Sequence, residues 1–112
     1  MELMTSEIKE LLEQHPVGST EGKLLDAEVI VKYFNPCGSG TWLIFEGSPT
    51  EDGDYELFGL CHIFEWEFGS VMLSELQNVR LPLGLTIERD LYSHGTVRKL
   101  AMECGYVPCE DD

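Results

Sequence analysis

Apolar residues recur every three or four positions at the two ends of the chain and every second position through its middle. That change of period predicts helices flanking a sheet. Near the start, Ile8, Leu11 and Leu12 form one face of a helix over 5–14 while Glu7, Lys9, Glu10 and Glu13 point away; Thr5 or Ser6 caps it and Pro16 stops it. The glycines and polar residues of 17–25 read as a loop. The β-branched run AEVIVKYF predicts a strand over 27–34 that is apolar on both faces and therefore central in the sheet. The turn cluster NPCGSG joins it to a second strand, TWLIFE over 41–46. Residues 47–54 form the tip of the next hairpin, followed by strands over 55–64 and 65–73. Where these two meet, Phe64, Trp66 and Phe68 alternate with Glu65 and Glu67. The rings are expected in the core and the carboxylates in solvent. Ser74 opens a short helix, with Gln77 three residues on completing a capping box, and Pro82 and Gly84 end it. A final strand occupies 85–92, and Val97, Leu100, Ala101 and Cys104 mark a C-terminal helix closed by Gly105.

This order predicts an α+β fold, an antiparallel sheet of about five strands with N-terminal, short internal and C-terminal helices. The 112 residues suit a single domain, made of a helix and loop over 1–26, a sheet region over 27–92, a C-terminal helix over 93–107 and an acidic tail over 108–112. The charge changes the picture more than the composition does. The formal net charge is −14, beyond the magnitude of about 2 to 8 that keeps a small domain soluble. It argues against direct nucleic-acid binding and against docking on anionic membranes. Residues 1–14 are charged throughout and lack a signal-peptide apolar region, and no run is long enough to span a bilayer. The expectation is a cytoplasmic protein whose Cys37, Cys61, Cys104 and Cys109 are reduced, with Cys104 and Cys109 close enough in sequence to oxidise in vitro.

Several spaced blocks carry a resemblance: VKYFNP at 31–36, TWLIFEG at 41–47, LFGL at 57–60, LSEL at 73–76 and LTIERDL at 85–91. Together they resemble a small bacterial domain family of unknown function carried by plasmids, phages and conjugative elements, with the pattern VKxFxP, TWxxxE, FGL, SLxEL and ERDL. The resemblance spans about 27–92 and departs at Ser70 and Val71, where the family often has an aromatic residue. It implies a mobile-element setting and supplies no catalytic residues.

Between Lys32 and Arg80 the chain has eight carboxylates, Glu46, Glu51, Asp52, Asp54, Glu56, Glu65, Glu67 and Glu75, and no lysine or arginine. Alternate residues on one strand face stand about 6.6 Å apart, while charges along a DNA strand recur every ~3.4 Å. Glu65 and Glu67, with Glu51, Asp52, Asp54 and Glu56 in the neighbouring hairpin, are thus the candidate partner-binding residues. They would present a DNA-like charge row to a basic channel such as that of a CRISPR effector or a restriction nuclease. A solvated acidic face is the simpler account of the same residues.

Three other constellations are weaker. Glu88 and Asp90, on one face of a strand and with His62 as helper, could serve an acid/base or metal-dependent enzyme, although a structural ion pair through Arg89 accounts for the same pattern. Cys61, His62, Cys37 and the Cys104/Cys109 pair offer zinc ligands, but only Cys104/Cys109 has the spacing of a structural zinc site, so no metal or cofactor is expected. Trp42 and Trp66 suit the core better than a ligand platform. The reading that follows is a non-enzymatic acidic inhibitor acting on a basic surface of a host protein. A structural accessory module is the remaining alternative.

Overall fold

Two amphipathic helices and a sheet apolar on both faces leave one economical arrangement, with the sheet in the middle and helices on either side. A computed structural model describes residues 2–20 and 22–107 and has this arrangement. The elements are α1 (Ser6–Gln14), β1 (Val31–Phe34), β2 (Thr41–Pro49), β3 (Tyr55–His62), β4 (Trp66–Met72), α2 (Leu73–Gln77), β5 (Glu88–Arg89) and α3 (Val97–Glu103), with 3₁₀ turns at Leu24–Asp26 and Pro82–Gly84. The sheet is antiparallel throughout, in the order β4-β3-β2-β1-β5. The fold is α+β as the sequence predicts, with β1 in the interior of the sheet. The tail 108–112, with Cys109, lies outside the described residues.

On one face, Ile8 and Leu12 of α1 and Leu76 of α2 pack against Tyr33, Trp42, Ile44 and Leu57. On the other, Val97, Leu100 and Ala101 of α3 pack with Leu25 and Ala27 against Leu43, Phe45 and Leu60. Removing a leucine or phenylalanine of this kind from water contributes about 1.5–3 kcal/mol, so β2, buried from Trp42 to Gly47, anchors both layers. Each long helix starts on a threonine cap. Thr5 accepts from the Ile8 N–H at 3.2 Å and Thr96 from the Lys99 N–H at 3.2 Å.

The pairing of β2 with β3 contains a bulge. Ile44 stands opposite Gly59 and Glu46 opposite Phe58, leaving Phe45 as an extra residue. Strict alternation would place Glu46 on the α1 side with Trp42 and Ile44. The bulge shifts the phase, so Phe45 and Glu46 both lie on the α3 side. It also presses the two backbones together, and a Cβ at position 59 would collide with the Leu43 carbonyl.

Several boundaries differ from the pattern-based expectation for physical reasons. Residues 27–30 do not extend β1; they turn to meet the segment before α3, with Val29 N–H on the Gly95 carbonyl and Val97 N–H on that of Ala27, both at 2.9 Å. The expected strand over 85–92 shrinks to Glu88–Arg89 because the Asp90 carboxylate takes the N–H groups of Tyr92 and Ser93 and pulls the chain out of the ladder. Ser74 does not cap α2. Glu75 reaches back to the Met72 N–H at 3.1 Å, and Asp54, from the β2–β3 hairpin, accepts from the Ser74 N–H at 3.1 Å. Leu11 and Cys104, expected on helix core stripes, are exposed.

Gly59→Ala should destabilise the fold by about 3 kcal/mol or more, because the clash is with backbone. Gly69→Ala, on β4 with no atom within 4 Å of the added methyl, should change stability by less than about 0.5 kcal/mol. Urea unfolding of the two variants checks the contrast.

Candidate functional site

The acidic segment runs through β2, β3, β4 and α2, and its eight carboxylates do different work. Glu46 is only 3% exposed. Its two oxygens take the Gly18 and Thr20 N–H groups, each at 2.8 Å, and the Thr20 hydroxyl. This binds the loop after α1 to the middle of β2, beside a pocket lined by Val17, Gly18, Leu24 and Phe58. Glu75 caps α2. Asp54 is committed as well, because the Ser74 hydroxyl, the Tyr55 N–H and the Ser74 N–H all donate to it and hold its pKa below the usual carboxylate range, against a smaller opposing effect of burial.

The remaining acids fall into two groups. Glu51 and Asp52 are exposed at the tip joining β2 and β3, where the Thr50 hydroxyl donates to Asp52. Glu65 and Glu67 are exposed at the other end of β3. The strand between spans roughly 20 Å at 3.3 Å per residue. Glu56 and Glu67 also face opposite sides of the sheet, because Glu56 shares its face with Phe58 and Leu60 while Glu67 stands across from Cys61. Glu56 accepts from the Ser70 hydroxyl at 3.2 Å. Glu65 is not in β4 at all but in the turn 63–65, so it and Glu67 do not form a strand row. The six candidate residues therefore make two acidic ends of the β3 hairpins in place of one continuous line.

The turn 63–65 also corrects the placement of Phe64. Its ring, expected in the core, is 96% exposed, and Ile63 beside it is half exposed. Trp66 and Phe68 do turn inward, Trp66 stacking on Tyr106 with ring centroids 5.9 Å apart. A period of two cannot distinguish the first residue of a strand from the last residue of a turn. The Cys-His-Ile-Phe-Glu-Trp run has no glycine or proline to mark the reversal.

The other constellations disperse. His62 on β3 and Glu88 on β5 are separated by β2 and β1, about 14 Å at the usual strand spacing. The Asp90 carboxylate is engaged by the Ser93 hydroxyl at 2.8 Å and by the Lys32 ammonium at 3.4 Å, in addition to the two N–H groups. Partial burial pushes its pKa up, but the Tyr92 N–H, the Ser93 hydroxyl and Lys32 outweigh this and leave it lowered. Burial, with Glu67 alongside, raises the Cys61 thiol to about 11, so it stays protonated at neutral pH. Among the described residues no group of three or more His, Cys, Asp or Glu is arranged to hold a metal ion. Nor is any described helix long and apolar enough to cross a membrane.

Fold and site together define a small acidic α+β protein with exposed carboxylates at two hairpin ends, in addition to those on α1 and elsewhere on the surface. A family model, DUF2958, described as a protein of unknown function, matches residues 3–102, and the chain belongs to that family. The match reaches past 27–92 to include α1 and most of α3. Comparison with curated proteins and with solved structures finds no match.

Glu46→Ala should cost about 3 kcal/mol, measured by urea unfolding, since it strands buried N–H and O–H donors. Asp54 contributes stability that is complete above the ordinary aspartate pKa of about 4 and is lost as pH falls through its own lower value. Thermal melts between pH ~5 and ~3 should therefore show a smaller loss in Asp54→Asn than in the parent protein.

Proposed function

We propose that this protein is a non-enzymatic acidic inhibitor of mobile-element origin, acting on the basic nucleic-acid channel of a host defence nuclease such as a CRISPR effector or a restriction enzyme. The observation that carries this reading is the β3–β4 turn, where the exposed Phe64 ring stands among Ile63, Glu65 and Glu67. An exposed aromatic flanked by carboxylates has the makings of an interface anchor with a charged rim. The carboxylates and the net charge of −14 steer the encounter, and burial of the ring slows dissociation. Glu51 and Asp52 at the far hairpin supply a second point of attraction, with Asp54 and Glu56 beside them serving mainly the fold. Resemblance to DNA then lies in the sign of the field and in two separated charged ends, without a phosphate-like repeat. The mobile-element setting comes from the family resemblance, and blocking host nucleases would benefit such elements.

Purified effector nuclease, its DNA substrate and increasing amounts of the protein provide the test. Cleavage should fall with added protein, inhibition should weaken steeply with salt, and excess DNA should compete. Glu65→Lys with Glu67→Lys should weaken inhibition at least tenfold, and Phe64→Ala by a similar factor at unchanged thermal stability. Inhibition indifferent to all three substitutions would overturn the assignment to this turn.

A further inference from the structure

We infer that β4 recognises its partner by strand addition, pairing its free edge with an extended basic segment; this rests on the proposed binding of a basic protein and specifies how that binding occurs. In the order β4-β3-β2-β1-β5, β4 is an edge strand seven residues long, with an uninterrupted register against β3 from Glu56–Met72 to His62–Trp66. Edge strands are ordinarily protected by lysine, proline, a bulge or a covering segment. β4 carries no lysine, proline or bulge.

The hydrogen-bond phase identifies which groups are open. The Met72 N–H bonds to Glu75, so it points away from β3. Independently, Pro49 has no N–H to give to Tyr55 across β2–β3, while Thr50 N–H does bond to the Asp54 carbonyl at 3.0 Å. In an antiparallel ladder bonded and non-bonded pairs alternate. Both observations therefore make Leu57–Val71, Gly59–Gly69 and Cys61–Glu67 the bonded pairs of β3–β4. The N–H and C=O groups of Trp66, Phe68 and Ser70 then face outward, and among the described residues no backbone group pairs with them.

Charge selects the occupant. Glu67 is exposed on one face of β4, and Glu65 stands just before the strand. Phe68, half-buried, is on the opposite face. A strand laid on this edge would meet carboxylates on one side and an aromatic ring on the other. An extended segment alternating lysine or arginine with apolar residues fits both. A second copy of the chain would bring another −14 to the same edge, which opposes self-pairing.

A capped heptapeptide alternating lysine and valine is the probe, with a counterpart N-methylated on alternate residues that keeps the charge and loses donors. Peptide binding should slow amide hydrogen exchange at Trp66, Phe68 and Ser70, and the N-methylated peptide should bind at least tenfold more weakly. Ser70→Pro removes one outward N–H while leaving the bonds to β3, so it should lose the peptide with the melting temperature little changed. Equal affinity for both peptides, protection elsewhere, or self-association through β4 would each overturn the inference. If nuclease inhibition is lost with the Glu65 and Glu67 reversals but survives Ser70→Pro, the basic partner stands and strand addition falls.

Discussion

The extra residue in β2 constrains the molecule more than any other single feature. Because the bulge inserts Phe45 between Ile44 and Glu46, one strand changes phase halfway along its length. Its first half delivers Trp42 and Ile44 to the α1 layer and Leu43 to the α3 layer; its second half delivers Phe45 and Glu46 to the α3 side together. Three consequences follow. Gly59 must lack a side chain, the ring of Phe45 meets Phe58 and Phe68 edge-on, and a carboxylate is buried where the loop after α1 can close over it. An acid so buried is tolerated because Gly18 and Thr20 supply its hydrogen bonds.

Cohesion comes from apolar burial on both faces of β2 and β3, with little help from ion pairs. Arg98 pairs with Asp26 and Lys32 with Asp90, and all four residues lie outside 33–79. An exposed pair such as the first contributes at most about 1 kcal/mol. Neither pair involves a carboxylate of the acidic hairpins, and that stretch has no lysine or arginine of its own. Self-repulsion is the accompanying cost, and the two-sided core offsets it.

The carboxylates divide by task. Glu46, Asp54, Glu75 and Asp90 satisfy backbone N–H groups and fix loops or helix starts. Glu51, Asp52, Glu65 and Glu67 are exposed at hairpin ends and contribute to the external field. Glu65 and Glu67, with the Phe64 ring and the β4 edge, bring charge and an exposed apolar ring to one margin of the sheet, while Glu51 and Asp52 lie at the far end of β3. On the proposed reading, these features serve recognition of a protein segment.

The residue pattern by itself determined the α+β class, the antiparallel hairpins, the flanking helices and most of the core, because apolar periodicity reports directly which face of each element must leave water. It also determined the acidity of 33–79, which is a matter of composition. Only the tertiary structure decided which acids are free, since a carboxylate's role depends on the donors brought to it. Glu46 meets Gly18 and Thr20, and Asp54 meets Ser74, across loops whose closure no local pattern encodes. The same holds for Phe64. Strand alternation alone puts its ring inside, whereas the reversal at 63–65 turns it out, because where a strand ends depends on the partner it pairs with.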